Sequence, residues 1–491
     1  MRYSIHKAWV AISLVVTILT AVGCGGGGGG SLAGGGIGGT GITAFGTITG
    51  FGSVFVNGVE FETSGTSFDV DDDDTAVEGD LGIGMVVTVT GILNDDGVTG
   101  SADSIVYDDE IEGPVSNLSE DLAAQTKSFN VFDINVVASL SSTAFANTTY
   151  AGVANGDVVE ISGFVDEAGT LVATRLEEKG LLVLGTTEVE IKGTVEGCTG
   201  DCTGAFNIGT TDIVYDGTTD LTEMPGGVVS NGQFVEVKGI LTGASSIDAI
   251  RIELEDEGFD DTTGDDKVSI EGLVSGFSSI ASFNVAGQPV DATGAVFTPA
   301  SLEDTLADGV EVEVEGPITD GVLRALKVEA RGGEIRIDAR VESKNVTAGS
   351  ITLALNPGSL TVMVDNQTAL RDDTGTVELL TLTDIGAGDF LEIEAYEDDA
   401  SGDLIATEIR RDDLDDDILQ GPVDSCEGSQ VTILGLDYTL ADGTTIYRDQ
   451  NEAPLLNAID FCTAQAAGGF FVKVKDELVA DGIADEAELE N

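Results

Sequence analysis

Short segments that alternate hydrophobic and polar residues recur along the whole chain. Six copies occur, and the last positions of successive copies are 72 to 80 residues apart. The copies are residues 85–91 (MVVTVTG), 157–163 (DVVEISG), 233–239 (QFVEVKG), 310–316 (VEVEVEG), 389–395 (DFLEIEA) and 470–475 (FFVKVK). Strict alternation is typical of a β-strand with one buried face and one solvent face. The chain is therefore predicted to contain six copies of one β-rich unit.

Each unit is predicted to hold about five strands, a number that suits a small barrel. The repeated segment is followed by a turn and a strand with an Ala-x-x-apolar signature, as at Ala102 and Ile105. Earlier in the first unit, Asn57 and Gly58 join two alternating segments, which indicates a β-hairpin. Long helical periods are absent. We expect an all-β chain of six tandem five-stranded barrels similar to the oligonucleotide/oligosaccharide-binding (OB) fold, with β-sandwich repeats as the second choice.

The repeat spacing divides the chain into eight segments. These are a signal peptide at 1–23, a lipidated cysteine with a Gly-rich tether at 24–44, and repeats at 45–111, 112–182, 188–257, 267–333, 335–413 and 417–491. Most joints between repeats are short, and two more open, acidic joints lie at 257–266 and 411–417. We expect six barrels arranged in a row.

The repeats also carry a family resemblance. Three segments resemble the bacterial domain-of-unknown-function family numbered 5666. They are residues 50–59 (GFGSVFVNGV), the strand with the pattern Gly-Asp-x-Val-Glu-x-x-Gly, and the Glu-Gly-Pro-Val segment at 112–115, where the second unit begins. The resemblance covers nearly all of residues 45–491, most clearly in the first two units and least in the fifth and sixth. It implies a tandem β-barrel lipoprotein of the cell envelope. It implies no activity and no functional residues.

The N-terminus resembles the signal of a bacterial lipoprotein. Arg2 and Lys7 precede an apolar run at 8–20, and small residues lead to Cys24. In such signals the chain is cut before the cysteine, whose thiol then carries a diacylglycerol. An ordinary signal peptide cut near Ala21 and a transmembrane anchor are the alternatives. In such lipoproteins, a residue other than Asp after the lipidated cysteine usually implies passage to the outer membrane. Gly25 stands at that position, so the resemblance implies an outer-membrane lipoprotein exposed either to the periplasm or at the cell surface.

A glycine-rich stretch separates this signal from the repeats. Residues 25–41 (GGGGGGSLAGGGIGGTG) are predicted to form a flexible tether, because glycine loses the most backbone entropy on ordering. Its root-mean-square reach would be roughly 20–25 Å. That reach would hold the barrels clear of lipid headgroups.

The charge balance argues against one class of partner. The chain has 88 acidic and 21 basic residues, a formal net charge of −67, and nowhere do three Lys or Arg residues stand together. A surface of this sign repels phosphate backbones, so nucleic acid is not expected as a partner.

Five cysteines are present, and Cys24 is assigned to the lipid. The other four are Cys198, Cys202, Cys426 and Cys462, an even number that suits two disulfides in an exported protein. Cys198–Cys202 would close a local turn, and Cys426–Cys462 would span the sixth unit. A zinc site of four cysteines and a redox pair at Cys198 and Cys202 are the alternatives.

The sequence indicates no catalytic site. The one histidine, His6, lies in the signal segment, so the processed chain can form neither a His-activated nucleophile nor a His-ligated metal site. Paired carboxylates could serve a hydrolase of envelope polysaccharide. Acidic residues are so plentiful, however, that finding a pair carries no information. We expect no enzyme activity.

Acidic turns are the remaining candidates for chemistry. They stand at 69–74, 94–97, 166–169, 320–321, 397–399 and 481–482. Carboxylates and carbonyls could hold Ca²⁺, but Asp-Gly turns also simply suit hairpins, and the acidity could be an adaptation to salty water. We expect no cofactor, with Ca²⁺ as an open alternative.

These observations predict a lipid-anchored protein of the bacterial envelope, located at the outer membrane. It would act as a non-enzymatic structural or binding scaffold, attached to the membrane through its lipid and bound to an unidentified protein or glycan. A calcium-dependent adhesin and a carboxylate-dependent hydrolase are the alternatives.

Overall fold

The computed structural model describes residues 40–490, except for 123–124, 141, 256–258, 260–265, 332–334, 366–367, 378–379, 399–400, 451–452, 469 and 478–480. The predicted signal peptide, Cys24 and the tether up to residue 39 lie outside the described residues. The first strand begins at Thr40, so residues 40–44, predicted to belong to the tether, form part of the first barrel.

Six or five strands build each of the first three units. The first contains β1 Thr40–Gly50, β2 Val54–Val56, β3 Val59–Glu62, β4 Ser67–Val70, β5 Val86–Leu93 and β6 Thr99–Tyr107. The second contains β7 Ile111–Asp121, β8 Thr126–Val131, β9 Ile134–Ser139, β10 Ala144–Ala146, β11 Asp157–Val165 and β12 Thr170–Leu181. The third contains β13 Glu188–Thr194, β14 Ala205–Ile208, β15 Thr211–Val214, β16 Phe234–Gly243 and β17 Ser246–Leu254.

The fourth and sixth units each add an α-helix to the same plan. The fourth contains β18 Lys267–Ser279, β19 Ser282–Val285, β20 Gln288–Asp291, β21 Val296–Thr298, α1 Leu302–Thr305, β22 Glu311–Gly316, β23 Ile318–Thr319, β24 Val322–Arg324 and β25 Lys327–Ala330. The fifth contains β26 Ile335–Asn345, β27 Ser350–Leu355, β28 Gly358–Met363, β29 Ala369–Asp372, β30 Phe390–Glu397 and β31 Leu404–Asp412. The sixth contains β32 Asp417–Gly421, β33 Val423–Glu427, β34 Gln430–Ile433, β35 Leu436–Thr439, β36 Ile446–Arg448, β37 Pro454–Leu455, α2 Ala458–Gly468, β38 Phe471–Asp476 and β39 Glu486–Glu490.

One strand order closes the barrels. In the first unit β1 pairs with β2, β2 with β3, β3 with β6, β6 with β5, and β5 returns to β1. The β3–β6 pairing is parallel and the other four are antiparallel. The second and fifth units close in the same way. The prediction of an all-β chain of small OB-like barrels is confirmed.

The barrels are joined in pairs through their first strands. Strand β1 runs parallel to β18 of the fourth unit, β7 pairs with β13 of the third, and β26 pairs with β32 of the sixth. Residue Phe45 on β1 also contacts Phe164 of the second barrel, with ring centroids 6.4 Å apart. The expected row of separate barrels is therefore wrong. The first part of β1 pairs with β5 on one side, and β18 pairs with its other side at residues 42–45, which removes exposed backbone donors and acceptors.

Alternation along the strands builds the cores. On β1 the inward residues Ile42, Ala44 and Ile48 are buried, and the residues between them are partly exposed. The first four barrels each have their own hydrophobic core, whereas the fifth and sixth share one. A small apolar cluster of Val86, Phe164 and Leu273 seals the contact of the first, second and fourth barrels.

The sixth unit departs most from the repeat. The 11-residue helix α2 follows its third pair of strands, although the sequence shows no long helical period. Its Phe461 and Cys462 are buried against the shared core. Among the described residues, none of the helices combines the length and the hydrophobicity needed to cross a bilayer.

Candidate functional site

The four cysteines outside the signal form two disulfides. Cys198 pairs with Cys202 on the connection between β13 and β14, and Cys426 on β33 pairs with Cys462 on α2. These are the pairs that the sequence predicts. Each stabilises one barrel, and neither leaves a free thiol for a metal or redox reaction.

Most acidic turns of the hairpins serve the local backbone. Asp96 accepts hydrogen bonds from the backbone N–H groups of Val98 and Thr99, at 3.1 and 3.0 Å. Asp166 likewise accepts from Ala168 and Thr170, both at 2.8 Å. Such Asx turns favour a tight hairpin without any ion.

A different group of acidic residues converges where the first three barrels meet. We call it the junction cluster. It consists of ten carboxylates and four cationic side chains: Asp71, Asp72, Asp108, Asp109, Glu112, Glu160, Glu190, Glu236, Glu253 and Glu255, with Lys179, Lys192, Lys238 and Arg251.

Strand register brings these side chains together. The β7–β13 pairing sets Glu112 opposite Glu190, and the β11–β7 pairing sets Glu160 opposite the same Glu112. Lys238 on β16 then lies opposite Glu190. Three glutamates therefore stand side by side on neighbouring strands, an arrangement of like charges that destabilises a sheet unless something neutralises it.

The first barrel contributes from two connections. Asp71 and Asp72 follow β4, with φ angles of 52° and 67°, and reach the third barrel. Lys238 Nζ contacts Asp71 Oδ1 and is 2.8 Å from Asp72 Oδ2, while Arg251 Nη1 is 2.7 Å from the same Asp72 oxygen. Asp108 and Asp109 come from the short joint after β6. Of the acidic turns considered in the sequence, only 69–74 contributes to the close carboxylate groups found among the described residues.

Two lysines partly neutralise the cluster. Lys192 Nζ lies 3.3 Å from Asp108 Oδ1 and 3.5 Å from Glu236 Oε2, and it donates a hydrogen bond to the carbonyl of Asp109. Lys238 Nζ lies 3.2 Å from Glu190 Oε2. The carboxylates still outnumber the cationic side chains by ten to four.

Burial shapes the acidity of these groups. Removal from water raises the pKa of Asp108 to about 7, and does the same for Glu112 and Glu236. Burial, together with the neighbouring carboxylates, holds the pKa of Glu190 well above its usual value. For Lys192, burial alone would lower the pKa, but the Asp108, Glu236 and Glu190 carboxylates raise it well above its usual value.

A second buried charge cluster lies between the fourth and fifth barrels. Burial raises the pKa of Glu311 to about 8 and of Glu408 to about 7. Here arginines face the acids: Arg371 Nη1 is 3.1 Å from Glu408 Oε1, and Arg331 pairs with Glu313. Glu311, Arg331, Arg371 and Glu408 line a cavity of about 120 Å³ at the contact of the first, second, fourth and fifth barrels.

A groove of about 780 Å³ separates the β7–β8 hairpin of the second barrel from the sheet of the last two. It gathers basic side chains that are far apart in sequence, namely Arg336, Arg448, Lys473 and Lys475. Each has an acidic partner, such as Asp338 at 2.7 Å from Arg336 and Asp416 at 2.8 Å from Lys475. The groove is therefore a network of ion pairs.

Sequence reasoning missed the junction cluster because it assigned the polar face of each strand to solvent. Glu190 and Glu236 stand at polar positions of alternating strands, yet they are 3% and 1% exposed because another barrel covers that face. The available signal was the pattern Glu-x-Lys on two strands, Glu190 to Lys192 and Glu236 to Lys238, which places opposite charges on one face.

The fold and the repeats together define a protein of tandem OB-like β-barrel domains. Four segments match the family described as domain of unknown function (DUF5666): residues 112–177, 192–253, 271–329 and 338–410. These matches cover more than half of the chain, and the chain belongs to this family. The matches fall in the second to fifth repeats, so the segment 50–59, which carried part of the resemblance, lies outside them. Repeated β-barrel domains of this family suggest a structural or binding role.

Comparison with known proteins adds little beyond the family. No curated protein matches the chain. Among solved structures, one titled "drosophila Unr CSD456" is similar, with 13% identity over 62% of this chain and 97% of that chain. Its TM-score is 0.11, and this likeness supports no further statement.

Proposed function

We propose that the protein is a lipid-anchored scaffold of the bacterial cell envelope that presents tandem barrels to a protein or glycan partner and has no enzyme activity. The observation that carries this proposal is the pairing of barrels through β1–β18, β7–β13 and β26–β32. Strand pairing between domains gives a stiff body, which is what a structural or binding role requires. The surface loops of such barrels are the usual binding positions of the fold.

The N-terminal segment supports attachment to a membrane. Cys24 follows an apolar run and small residues, and 15 residues separate it from Thr40, where β1 begins. A glycine-rich linker of this length lets the first barrel stand away from the lipid surface. The outer membrane is the proposed location because Gly25, and not Asp, follows Cys24.

Fatty-acid labelling tests the anchor. The full chain is expressed in a Gram-negative host with radiolabelled palmitate, and its membranes are separated on a density gradient. We expect label in the wild type and in the tether control Ser31→Ala, none in Cys24→Ala, and labelled protein shifted to the inner membrane in Gly25→Asp. Equal labelling of Cys24→Ala, or an unlabelled wild type, would refute the lipid anchor.

Sedimentation with isolated envelope fragments tests the scaffold role. We expect the purified full-length protein to pellet with the fragments and to release no new reducing ends from their polysaccharide. A protein that stays in the supernatant would contradict the binding role, and the release of reducing ends would establish the hydrolase alternative.

A further inference from the structure

Four carboxylates of the junction cluster form its tightest group. Asp71 comes from the first barrel, Asp108 and Asp109 from the joint to the second, and Glu190 from the third. One oxygen of each lies within 4.8 Å of the corresponding oxygens of the others. The four side chains therefore surround one point that three barrels share.

Three of these carboxylates, those of Asp108, Asp109 and Glu190, have a buried oxygen without a hydrogen-bond donor, and Asp109 and Glu190 are almost fully buried. Asp109 Oδ1 and Glu190 Oε1 are buried and accept no hydrogen bond from any described residue. Their residues are 2% and 3% exposed. Ionised carboxylates can only accept hydrogen bonds. Two buried carboxylates whose oxygens lie within 4.8 Å of each other therefore need either a shared proton or a cation between them.

The lysines satisfy other oxygens of the group. Lys238 Nζ contacts Asp71 Oδ1 and lies 3.2 Å from Glu190 Oε2. Lys192 Nζ lies 3.7 Å from Glu190 Oε1, which is beyond hydrogen-bond distance. The lysines thus leave Asp109 Oδ1 and Glu190 Oε1 without a hydrogen bond.

The equivalent pairing of the fifth and sixth barrels shows a different solution. Beside the β26–β32 pairing, Arg336 and Asp338 form an ion pair at 2.7 Å, and the buried Arg410 contacts Glu392. Opposite charges alternate there, so that interface is neutralised by side chains alone. The β7–β13 interface has Glu112 opposite Glu190 instead.

We propose that Asp71, Asp108, Asp109 and Glu190 bind one Ca²⁺ ion that joins the first three barrels. Ca²⁺ takes six to eight oxygen ligands at roughly 2.3–2.6 Å, so its ligand oxygens lie at most about 5 Å apart. The oxygens of this group, all within 4.8 Å of one another, meet that limit. Asp71 has a side-chain exposure of 40% and provides the route from solvent. Mg²⁺ fits less well because it demands a tighter octahedron and retains more of its water.

The bound ion would hold the first three barrels together in their present arrangement. Its ligands belong to three units, so Ca²⁺ binds the assembled junction and not the separated barrels, and it stabilises the assembly by mass action. This inference is independent of the lipid anchor and of the envelope partner.

Terbium luminescence and thermal melting of the full chain test the site. Tb³⁺ replaces Ca²⁺ on oxygen ligands and is excited through a nearby tyrosine. Tyr107 is suitably placed, since its hydroxyl donates to Glu160 at 2.9 Å and the Glu160 and Asp109 carboxylates lie within 4.8 Å. We expect Tb³⁺ luminescence that Ca²⁺ quenches by competition, and a higher melting temperature with Ca²⁺ than with Mg²⁺ at equal ionic strength.

Variants locate the effect. Asp109→Asn and Glu190→Gln should each weaken Ca²⁺ binding by about tenfold or more, and should raise the melting temperature in chelator because they relieve repulsion between buried carboxylates. Tyr107→Phe should lose the Tb³⁺ signal and keep the Ca²⁺-induced rise in melting temperature. The matched control Asp95→Asn, which removes one charge from an exposed turn, should bind Ca²⁺ like the wild type.

Three results would overturn the proposal. Equal shifts with Ca²⁺ and Mg²⁺ would mean screening of the overall charge. Wild-type affinity for Ca²⁺ in both Asp109→Asn and Glu190→Gln would place the ion elsewhere. A wild type that takes up neither Ca²⁺ nor Tb³⁺ would mean that Asp109 and Glu190 share a proton.

Discussion

At the scale of single residues, the repeated glycine of the alternating strands has a steric cause. A Cβ atom on Gly91, Gly163 or Gly316 would lie 2.1 Å from a backbone oxygen of the next strand, and on Gly239 2.5 Å from the carbonyl of Asp248. The ladder shifts register at Gly91, Gly163 and Gly239. In these three strands the glycine marks a β-bulge within a continuing strand, not the end of a strand as its position in the sequence suggested.

Gly239→Ala tests this explanation. The added methyl group would also meet Ile247 Cγ2 at 2.7 Å, and the backbone has to move to admit it. We expect a loss of about 1–3 kcal/mol in the free energy of unfolding, measured by urea denaturation. Gly217→Ala in the same barrel has no atom within 4 Å of the new methyl and should be close to neutral. Equal stability of the two variants would contradict the bulge account.

At the scale of elements, most strands could be predicted from the sequence. The pairing of strands from different units could not. The alternation around residues 85–91 and 157–163 corresponds to β5 and β11, and Asn57-Gly58 forms the β2–β3 turn. Pairing of β1 with β18 joins residues more than 200 positions apart, and no local pattern encodes it. The junction cluster depends on such pairings, so its carboxylates could be identified in the sequence as acidic but not as neighbours.

The disulfide between β33 and α2 gives the second prediction. It attaches α2, the helix that departs from the repeat, to the sixth barrel. Its cysteines are 36 residues apart, against 4 for Cys198–Cys202. Closing the longer loop removes more entropy from the unfolded chain, so Cys426→Ala with Cys462→Ala should cost about 3–4 kcal/mol and the Cys198→Ala, Cys202→Ala pair about 2. Urea midpoints of the two double variants compare them directly. A larger loss from the shorter loop would show that loop closure is not the main effect.

At the scale of the whole molecule, buried carboxylates dominate the electrostatics of a chain with a net charge of −67. Many of them lie between barrels, where association removes them from water. Burial raises the pKa of Asp108, Glu112 and Glu236 to about 7, from ordinary values of 3.8 and 4.5. The folded chain therefore holds protons that the unfolded chain has already released at neutral pH.

This proton balance gives the third prediction, that the free energy of unfolding rises as pH falls. Raised pKa values in the folded state give a contribution that is complete below about pH 4 and is lost as pH rises through about 7. In chelator, we expect the melting temperature to increase from about pH 8 to about pH 5. Glu112→Gln should flatten this dependence, whereas Glu62→Gln on the exposed end of β3 should not. A melting temperature that increases with pH over this range would contradict the assignment.

Small-angle X-ray scattering tests the central claim, that the six barrels interlock into one body. A chain of this length folded compactly has a radius of gyration of roughly 20–30 Å, whereas six barrels of about 25 Å in a row would exceed about 40 Å. For residues 40–491, we predict a value below about 30 Å and a compact distance distribution. A value above about 40 Å would contradict the strand pairing between barrels, and with it the rigid scaffold and the shared calcium site.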